Sequence, residues 1–463
     1  MHPEVSSNRN LRSWVLRNLL LRPVDRALNQ GMIRRLSFLE GAQWWHREQI
    51  NAWRNQHLQI LLKTAYEEVP FYRSILDENR VKWEDIKSPA ELQRLPVVTK
   101  DMLGPQYPHR TTRSTGLKTY EVCSSGSTGK NFRVREDAET AGHYRASFLL
   151  ALRWAGWQMG ERHMQTGMTL DRSWDRRLKD SILRCDYVSA YALDDDHLDA
   201  ALDVLDSKKI EHLWGYPGSL YFLAKRALQR GWNRPLRSLV TWGDNLFKHY
   251  RDTIEYTFGT WVFDTYGCAE GFQIAAQCGT DSNYHLHSMD VIVEFLDNDG
   301  LPVAEGELGN IVVTRLHPGP MPLIRYRVGD LGISGGHQPC SCGRGFELLA
   351  SVQGRDTDVV VTPSGNRLIV HFFTGLLEGF QEIDCFQVLQ EEIGSIVIRL
   401  VSSRPGAITP ETEDRIIRVL REHGATGINI AIEQVSEIAP EASGKRRFVI
   451  SKVSRQPTLE LRP

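Results

Sequence analysis

The chain carries, between two β-type segments, the run Ser124-Ser125-Gly126-Ser127-Thr128-Gly129-Lys130. Thr119–Cys123 before it and Phe132–Arg135 after it contain β-branched and aromatic residues, which predicts two strands. Glycine lets backbone N–H groups turn toward an anion, while hydroxyls and a lysine add donors and positive charge. The run therefore predicts a phosphate-binding loop, with a flexible surface turn as the alternative.

This loop differs from the Walker A loop. That motif has four residues between its first glycine and its Gly-Lys pair, and a Ser or Thr follows the lysine. Here two residues separate Gly126 from Gly129, and Asn131 follows Lys130. The sequence therefore predicts phosphate binding by a loop of another type.

Length and composition set the broad class of the protein. The chain has 463 residues, 41% of them hydrophobic and 24% charged, which is typical of a folded protein with two or three domains. The net charge of −1 and the seven cysteines favour neither a nucleic-acid partner nor a disulfide scaffold. There is no apolar run of membrane-spanning length and no signal-peptide core. We therefore expect a cytoplasmic protein without a transmembrane segment.

The first part of the chain is basic and helical. Residues 1–44 place Arg12, Arg17 and Arg22 among tryptophan and leucine side chains. We expect this extension to pack on its own protein or to contribute to a homodimer interface. Contact with an anionic membrane surface is the less expected alternative.

The centre of the chain alternates short apolar strands with helices. Two strands lead into glycine turns, at Trp242-Gly243-Asp244 and at Tyr266-Gly267. Such alternation predicts an α/β layered fold whose ligands bind at the carboxyl ends of the strands. From about residue 290 the pattern becomes that of a small β-rich subdomain, in which Leu323–Tyr326 is one of the predicted strands. We predict a large domain at residues 45–354 and a small α+β domain at residues 355–463, which begins with a hairpin around residues 358–370 and contains a helix capped by Thr409.

Five motifs in one order carry a family resemblance. They are Ser124–Lys130, Tyr266-Gly267-Cys268-Ala269-Glu270, Pro322–Asp330, Gly354-Arg355 and Ser443-Gly444-Lys445. Together they resemble the adenylate-forming superfamily of acyl-CoA synthetases. Val69-Pro70-Phe71-Tyr72 and the Cys-x-Cys-Gly-Arg run at residues 340–344 are similar to its phenylacetate–CoA ligase and CapK-type branch. The resemblance covers the chain from about residue 45 onward.

The resemblance implies a reaction in two steps. The carboxylate of a small-molecule acid attacks the α-phosphate of ATP, which gives an acyl-adenylate and pyrophosphate. Coenzyme A then displaces AMP; the alternative is transfer to an amine or hydroxyl acceptor, giving an amide or ester. The small domain would act as a mobile lid over the large adenylation domain.

The resemblance also assigns roles to residues. Lys130 and the loop residues Ser124, Ser125, Gly126, Ser127, Thr128 and Gly129 would hold the β- and γ-phosphates. Glu270 would bind Mg²⁺, a hard cation that prefers oxygen ligands. Tyr266 and Gly267 would hold the adenine, Asp330 and Arg355 the ribose region, and Asp244 a further nucleotide contact. Lys445 would stabilise charge in the first step only.

Two positions depart from the family pattern. Relatives usually have Thr or Ser two residues after the glycine of the Tyr-Gly motif, where a hydroxyl meets the α-phosphate, and this chain has Ala269. The hinge position after Gly354-Arg355 is usually Asp or Lys, and here Thr357 precedes Asp358. The first departure is the one sequence argument for a third hypothesis, a binding module or scaffold with a degenerate site.

A second cluster predicts a metal site. Cys340 and Cys342 form a tight thiolate pair, and Cys278 and His285 lie upstream. Two thiolates from one knuckle plus Cys and His from another segment suit tetrahedral Zn²⁺, which would be structural because four ligands leave no open position. Some members of the branch carry such a zinc. His287 is the alternative histidine, and unrelated buried thiols are the alternative explanation.

Overall fold

We describe a computed structural model of the chain. It describes residues 7–124, 132–167, 173–190, 195–336, 338–355, 359–364, 367–377, 380, 382–439 and 447–453. Compact unit one comprises Met1–Leu246, Tyr250–Val328 and Gly332–Val352, and compact unit two comprises Phe247–His249, Gly329–Leu331 and the chain from Gln353.

Helices alternate with strands through most of the chain. The helices are α1 (Ser7–Val15), α2 (Arg22–Ala27), α3 (Met32–Ala42), α4 (Arg47–Glu68), α5 (Pro70–Glu78), α6 (Lys100–Leu103), α7 (Ala138–Trp154), α8 (Trp174–Leu183), α9 (Asp195–Ser207), α10 (Pro217–Gln229), α11 (Lys248–Phe258), α12 (Val370–Leu377) and α13 (Pro410–Glu422). A π-helical segment, Leu16–Leu21, joins α1 to α2, and 3₁₀ turns lie at Trp83–Asp85, Pro89–Arg94 and Gly104–Gln106.

The strands of the first part are β1 (Thr119–Ser124), β2 (Phe132–Asp137), β3 (His163–Gly167), β4 (Cys185–Ser189), β5 (His212–Gly215), β6 (Ser238–Thr241), β7 (Val262–Cys268), β8 (Phe272–Gln277), β9 (Tyr284–Leu286), β10 (Val291–Leu296), β11 (Leu308–Arg315), β12 (Tyr326–Ser334) and β13 (Leu348–Arg355). Those of the C-terminal part are β14 (Val359–Val361), β15 (Arg367–Ile369), β16 (Ile383–Glu392), β17 (Ser395–Ser402), β18 (Asn429–Gln434) and β19 (Val449–Ser451).

One large sheet runs through the first part. Its 11 described strands have the order β10-β11-β12-β13-β9-β8-β7-β6-β5-β3-β4. The strands from β3 to β7 pair in parallel, whereas β7 pairs with β8 antiparallel, and so do β8 with β9 and β10 with β11. The parallel half is covered by helices, as βαβ crossovers require. The predicted α/β layering, with β-rich structure after residue 290, is confirmed.

Apolar side chains of the helices fill separate parts of the core. Leu58, Leu61 and Leu62 recur on one face of α4 and pack with β8 and β11. Leu36 and Leu39 of α3 join the core that contains Ala146 and Leu150 of α7. α9, α10 and α11 cover β5 and β6 through a third cluster. The N-terminal helices therefore belong to the core of the first unit.

The second unit contains its own small sheet. Its order is β18-β17-β16-β19, with β16 and β17 antiparallel and β19 parallel to β16. β14 and β15 form the predicted hairpin. Helix α13 begins as predicted, because the Thr409 hydroxyl accepts a hydrogen bond from the Thr412 N–H and Pro410 occupies the first helical position. The small C-terminal α+β domain of the fold-class prediction is confirmed.

Two predicted strand limits are wrong by a few residues. β7 continues through Tyr266 and Gly267 to Cys268, so the turn falls at Ala269–Gly271. The segment Leu323–Arg325 is not strand, because Arg325 has φ +48° and the strand begins at Tyr326. The turn after β7 contains Glu270, and β12 begins at Tyr326, whose hydroxyl is close to Glu270.

Candidate active site

The base of the Ser/Gly loop is held by two paired strands. β1 and β2 are antiparallel, and Ser124 pairs with Phe132, so the loop leaves and returns at adjacent positions. The side chain of Phe132 is buried and stacks on Tyr326, with ring centroids 5.9 Å apart. Tyr326 also lies parallel to Phe272 of β8. The return point of the loop is therefore fixed to the first residue of β12.

Glu270 lies beside that anchor. Its side chain is only 3% exposed, and Oε1 accepts a hydrogen bond from the Tyr326 hydroxyl at 2.9 Å and contacts Lys100 Nζ at 2.8 Å. Burial alone would raise the pKa of the Glu270 carboxyl, but the charge and hydrogen bond of Lys100, together with further hydrogen bonds to the carboxylate, outweigh burial and hold that pKa below its usual value. The site therefore contains a buried, anionic carboxylate at neutral pH.

The turn that carries Glu270 needs glycine. Gly271 has φ +82°, and a Cβ added there would lie 1.8 Å from Oε1 of the buried Glu136. Arg315, itself buried, donates to the Met321 carbonyl at 2.6 Å and lies 3.5 Å from the Glu270 carbonyl. These contacts fix the backbone of the turn, so the direction of the Glu270 side chain is set by the fold.

Lys100 reaches the site through a short β-bridge. Val98 pairs with Tyr326, because its N–H donates to the Arg325 carbonyl and its carbonyl accepts from the Arg327 N–H, at 2.8 and 2.9 Å. Lys100 follows two residues later as the first residue of α6. A segment that precedes the loop by more than twenty residues therefore delivers a cation to Glu270.

A cysteine and histidine cluster lies elsewhere in the first unit. The ligand atoms of Cys278, His285, Cys340 and Cys342 all lie within 4.8 Å of one another. Cys278 Sγ and Cys340 Sγ are 3.7 Å apart, and Cys342 Sγ is 3.2 Å from His285 Nε2. A tetrahedral Zn²⁺ with Zn–S bonds of about 2.3 Å puts two sulfurs about 3.8 Å apart. The donor set and its spacing therefore fit zinc.

The alternative histidine is placed differently. His287 is fully buried, stacks on Trp154 with centroids 5.6 Å apart, and has no hydrogen-bond partner among the described residues for either ring nitrogen. Burial lowers the pKa of His287 to about 4, so the ring is neutral. Only His285 joins the three thiols.

Comparison with known proteins adds independent findings. The CapK C-terminal domain family matches residues 360–452. Phenylacetate-coenzyme A ligase of Thermus thermophilus is 26% identical over 333 residues, which cover 68% of this chain and 72% of that protein. Protein CapK of Staphylococcus aureus is 21% identical over 411 residues, covering 86% and 88% of the two chains.

A solved structure shares the fold. The crystal structure of 2-hydroxyisobutyryl-CoA ligase in the postadenylation state matches with a TM-score of 0.71 at 19% identity, covering 89% of this chain and 91% of that one. The match includes residues of both the large and the small part of the chain. It agrees with the relatives found from the sequence.

Over most of its length, the chain is similar to phenylacetate-coenzyme A ligases and to protein CapK, as the motifs predicted. The family prediction is therefore confirmed.

The other predicted site residues fall at several places in this adenylate-forming fold. Tyr266 and Gly267 lie on β7, where a register shift separates them, and Asp244 is exposed just after β6. Asp330 lies on β12, and Arg355 is the last residue of β13. Ser124 ends β1, whereas Ser125–Lys130, Thr357 and Lys445 lie outside the described residues.

Two residues near Glu270 escaped the motif analysis. Lys100 was visible only as the end of Val97-Val98-Thr99-Lys100, and Tyr326 only as part of the longer Pro322–Asp330 motif. No local spacing links either of them to Glu270, which is 170 and 56 positions away. The contact depends on the bridge between Val98 and Tyr326, which is a tertiary feature.

Among the described helices, none combines the length and apolar character that crossing a bilayer requires.

Proposed function

We propose that the protein activates a carboxylic acid with ATP, releasing pyrophosphate, and then passes the acyl group to coenzyme A. The observation that carries the proposal is the buried Glu270 carboxylate, held by Lys100 and Tyr326 next to the base of the Ser/Gly loop. Relatives named phenylacetate-coenzyme A ligase support this reaction class. A protein from this family is therefore expected to be an AMP-forming ligase.

The charges around Glu270 suit the first step. A carboxylate that attacks a triphosphate must approach an anion, so positive charge has to be in place before the reaction. Glu270 is ionised at neutral pH and would hold Mg²⁺, which when bound neutralises phosphate charge. Lys100 balances the charge of the Glu270 carboxylate.

The remaining roles follow the family assignment. Tyr266 and Gly267 would hold the adenine, Asp330 and Arg355 the ribose, and Lys130 with the loop hydroxyls the terminal phosphates. Lys445 would act only while the acyl–phosphate bond forms. Residues 45–354 would then form the adenylation domain and residues 355–463 its mobile lid.

We further propose a structural zinc ion at Cys278, His285, Cys340 and Cys342. The distances between their ligand atoms support a tetrahedral site, and the four protein ligands leave no open position for substrate. The zinc would tie the segment after β8 to the loop before β13. It would contribute to folding and take no part in the reaction.

Carboxylate-dependent ATP–pyrophosphate exchange tests the proposed reaction. We expect exchange to require one class in a panel of aryl and aliphatic acids, and to fall at least tenfold in Glu270→Gln and in Lys445→Ala. Glu78→Gln, at an exposed position of α5, is the control and keeps the wild-type rate. Loss of about 1.4 kcal/mol of transition-state stabilisation gives a tenfold change.

The second half-reaction is tested by AMP release. Coenzyme A, amines and hydroxyl compounds are compared as acceptors with the acid found by exchange. Release that requires coenzyme A supports the proposal, whereas release with an amine or hydroxyl compound changes the acceptor and leaves adenylation in place. ATP binding without exchange for any acid would favour the binding-module hypothesis.

A further inference from the structure

The outer face of the N-terminal helical segment is rich in exposed apolar side chains. Leu11 is 63% exposed, Leu19 62% and Trp14 55%. Four more large apolar residues of the same segment are also exposed: Val15, Leu20, Val24 and Leu28. Residues 11–28 therefore expose seven large apolar side chains, and we call the exposed surface of this segment the N-terminal face. A folded protein rarely exposes such a surface without a use for it.

The opposite side of this segment is anchored to the protein. Leu16 and Leu21 pack against the core cluster shared by α3 and α7. Arg17 pairs with Glu40 of α3 at 2.8 Å, and the buried Asp25 accepts hydrogen bonds from the N–H groups of Met32 and Ile33. The segment is thus held with its N-terminal face outward, and exposure of that face does not result from loose packing.

The charges on the N-terminal face are all positive. Residues 11–28 contain four arginines and one aspartate. That aspartate is buried at the start of α3 and Arg17 points to Glu40, so Arg12, Arg22 and Arg26 are the exposed charges of the segment. The whole chain has a net charge of −1, so this concentration of arginine is local.

Positive charge continues beside the segment. The pKa of the Arg184 guanidinium, at the end of α8, is lowered first by burial and then by the positive charge of Arg12. Arg12 and Arg184 therefore lie within range of each other's charge, and Arg162 and Asp186 also act on Arg184. Trp174 and Leu178 of α8 are also exposed. Arginine, tryptophan and leucine side chains together are typical of helices that lie in a lipid–water interface.

We propose that the N-terminal face binds the surface of a bilayer that contains anionic lipids. The apolar side chains would enter the boundary between headgroups and acyl chains, while Arg12, Arg22 and Arg26 pair with lipid phosphates. A second copy of the chain fits less well. A two-fold interface would bring the same three arginines of each copy together, and the face offers no exposed carboxylate to balance them.

Vesicle co-sedimentation tests the proposal with the full chain. We expect binding to phosphatidylcholine vesicles that contain about 30% phosphatidylglycerol, much weaker binding to pure phosphatidylcholine, and loss of binding between about 0.1 and about 0.5 M salt. Arg22→Gln combined with Arg26→Gln should weaken partitioning roughly 25-fold, since each arginine near an anionic surface contributes roughly a factor of five. Leu19→Glu should weaken it at least as much.

A control variant tests whether vesicle binding depends on the N-terminal face or on any exposed apolar side chain. Leu301, in the turn between β10 and β11, is 60% exposed, so Leu301→Glu makes the same chemical change at similar exposure and should keep vesicle binding. Thermal melting and ATP–pyrophosphate exchange of each variant check that the fold survives. Equal binding of wild type and Leu19→Glu would refute the proposal. So would a dimer in sedimentation velocity that Leu19→Glu dissociates in the absence of lipid.

Discussion

Replacement of Lys100 by methionine is the sharpest test of the candidate active site. Methionine keeps much of the length of the side chain and removes its charge. The Glu270 carboxylate, 3% exposed, would then keep the Tyr326 hydroxyl as its hydrogen-bond donor among the contacts that we describe. A buried carboxylate without its counter-charge is costly, so the variant should be less stable than the wild type.

The magnitude follows from the burial of the two partners. Removing one partner of a fully buried ion pair costs about 3–5 kcal/mol, whereas exposed pairs contribute about 0.2–1 kcal/mol. Lys100 is 34% exposed and Glu270 is buried, so the pair lies between these limits. We expect Lys100→Met to lower the free energy of unfolding by about 2 kcal/mol.

A double-mutant cycle in urea measures this interaction. Lys100→Met, Glu270→Gln and the double variant are unfolded at neutral pH, and tryptophan fluorescence and circular dichroism follow the first transition. Neutral glutamine tolerates the loss of Lys100 better than a carboxylate does, so the double variant should be more stable than additivity predicts, by about 1–2 kcal/mol. Lys63→Met is the control, because Lys63 and Glu67 are 4.0 Å apart and both about half exposed.

The direction of the Glu270 pKa shift decides how the stability difference changes with pH. The folded pKa of Glu270 is lowered, so its contribution to stability is complete above its unfolded pKa of 4.5 and is lost as pH falls through the folded pKa. Wild type and Lys100→Met should therefore differ at pH 7 and converge in acid. A Lys100→Met variant that is no less stable than Lys63→Met at pH 7 would refute the reasoning.

Three further predictions concern the metal cluster, a buried carboxyl and a helix contact. In native mass spectrometry, Cys342→Ser should carry no zinc ion, and it should melt at a lower temperature than the wild type. Cys385→Ser should keep the zinc ion and the wild-type melting temperature. Retention of zinc by Cys342→Ser would contradict the four-ligand site. Burial raises the pKa of Asp264 to about 6. The free energy of unfolding should therefore fall by about 3 kcal/mol as pH rises from about 4 to about 6, and Asp264→Asn should flatten that pH dependence in urea titrations. Gly142→Ala places a methyl 1.8 Å from the Gln30 carbonyl oxygen and should cost about 1–3 kcal/mol, whereas Gly41→Ala, with open space around it, should be neutral or stabilising.

Local features of the fold could be predicted from the sequence. The strands on both sides of the Ser/Gly loop and the cap of α13 at Thr409 depend on a few neighbouring residues. Turn and cap chemistry acts over three or four positions, so a short window contains the whole cause. The zinc ligands could be proposed for a similar reason, since the Cys-x-Cys pair is itself local.

Contacts between distant segments could not be predicted in this way. The sequence gives no register for Val98 against Tyr326, and this single bridge decides that Lys100 faces Glu270. The left-handed conformation of Arg325 is also set by tertiary contacts, because its guanidinium pairs with Glu294 at 2.9 Å. A β-pattern around residues 323–326 cannot reveal a backbone that a distant carboxylate holds in place.

The contact of Lys100 with Glu270 changes how the departure at Ala269 is interpreted. Considered alone, the missing hydroxyl suggested a site that has lost an α-phosphate contact. The described structure places Lys100 Nζ 2.8 Å from the carboxylate of Glu270, the residue that follows Ala269. A hydroxyl donates one hydrogen bond, whereas an ammonium group carries a full charge and three donors. Lys100 is therefore a cation beside Glu270 that the motif comparison did not include, and the alanine by itself is not evidence for a disabled enzyme.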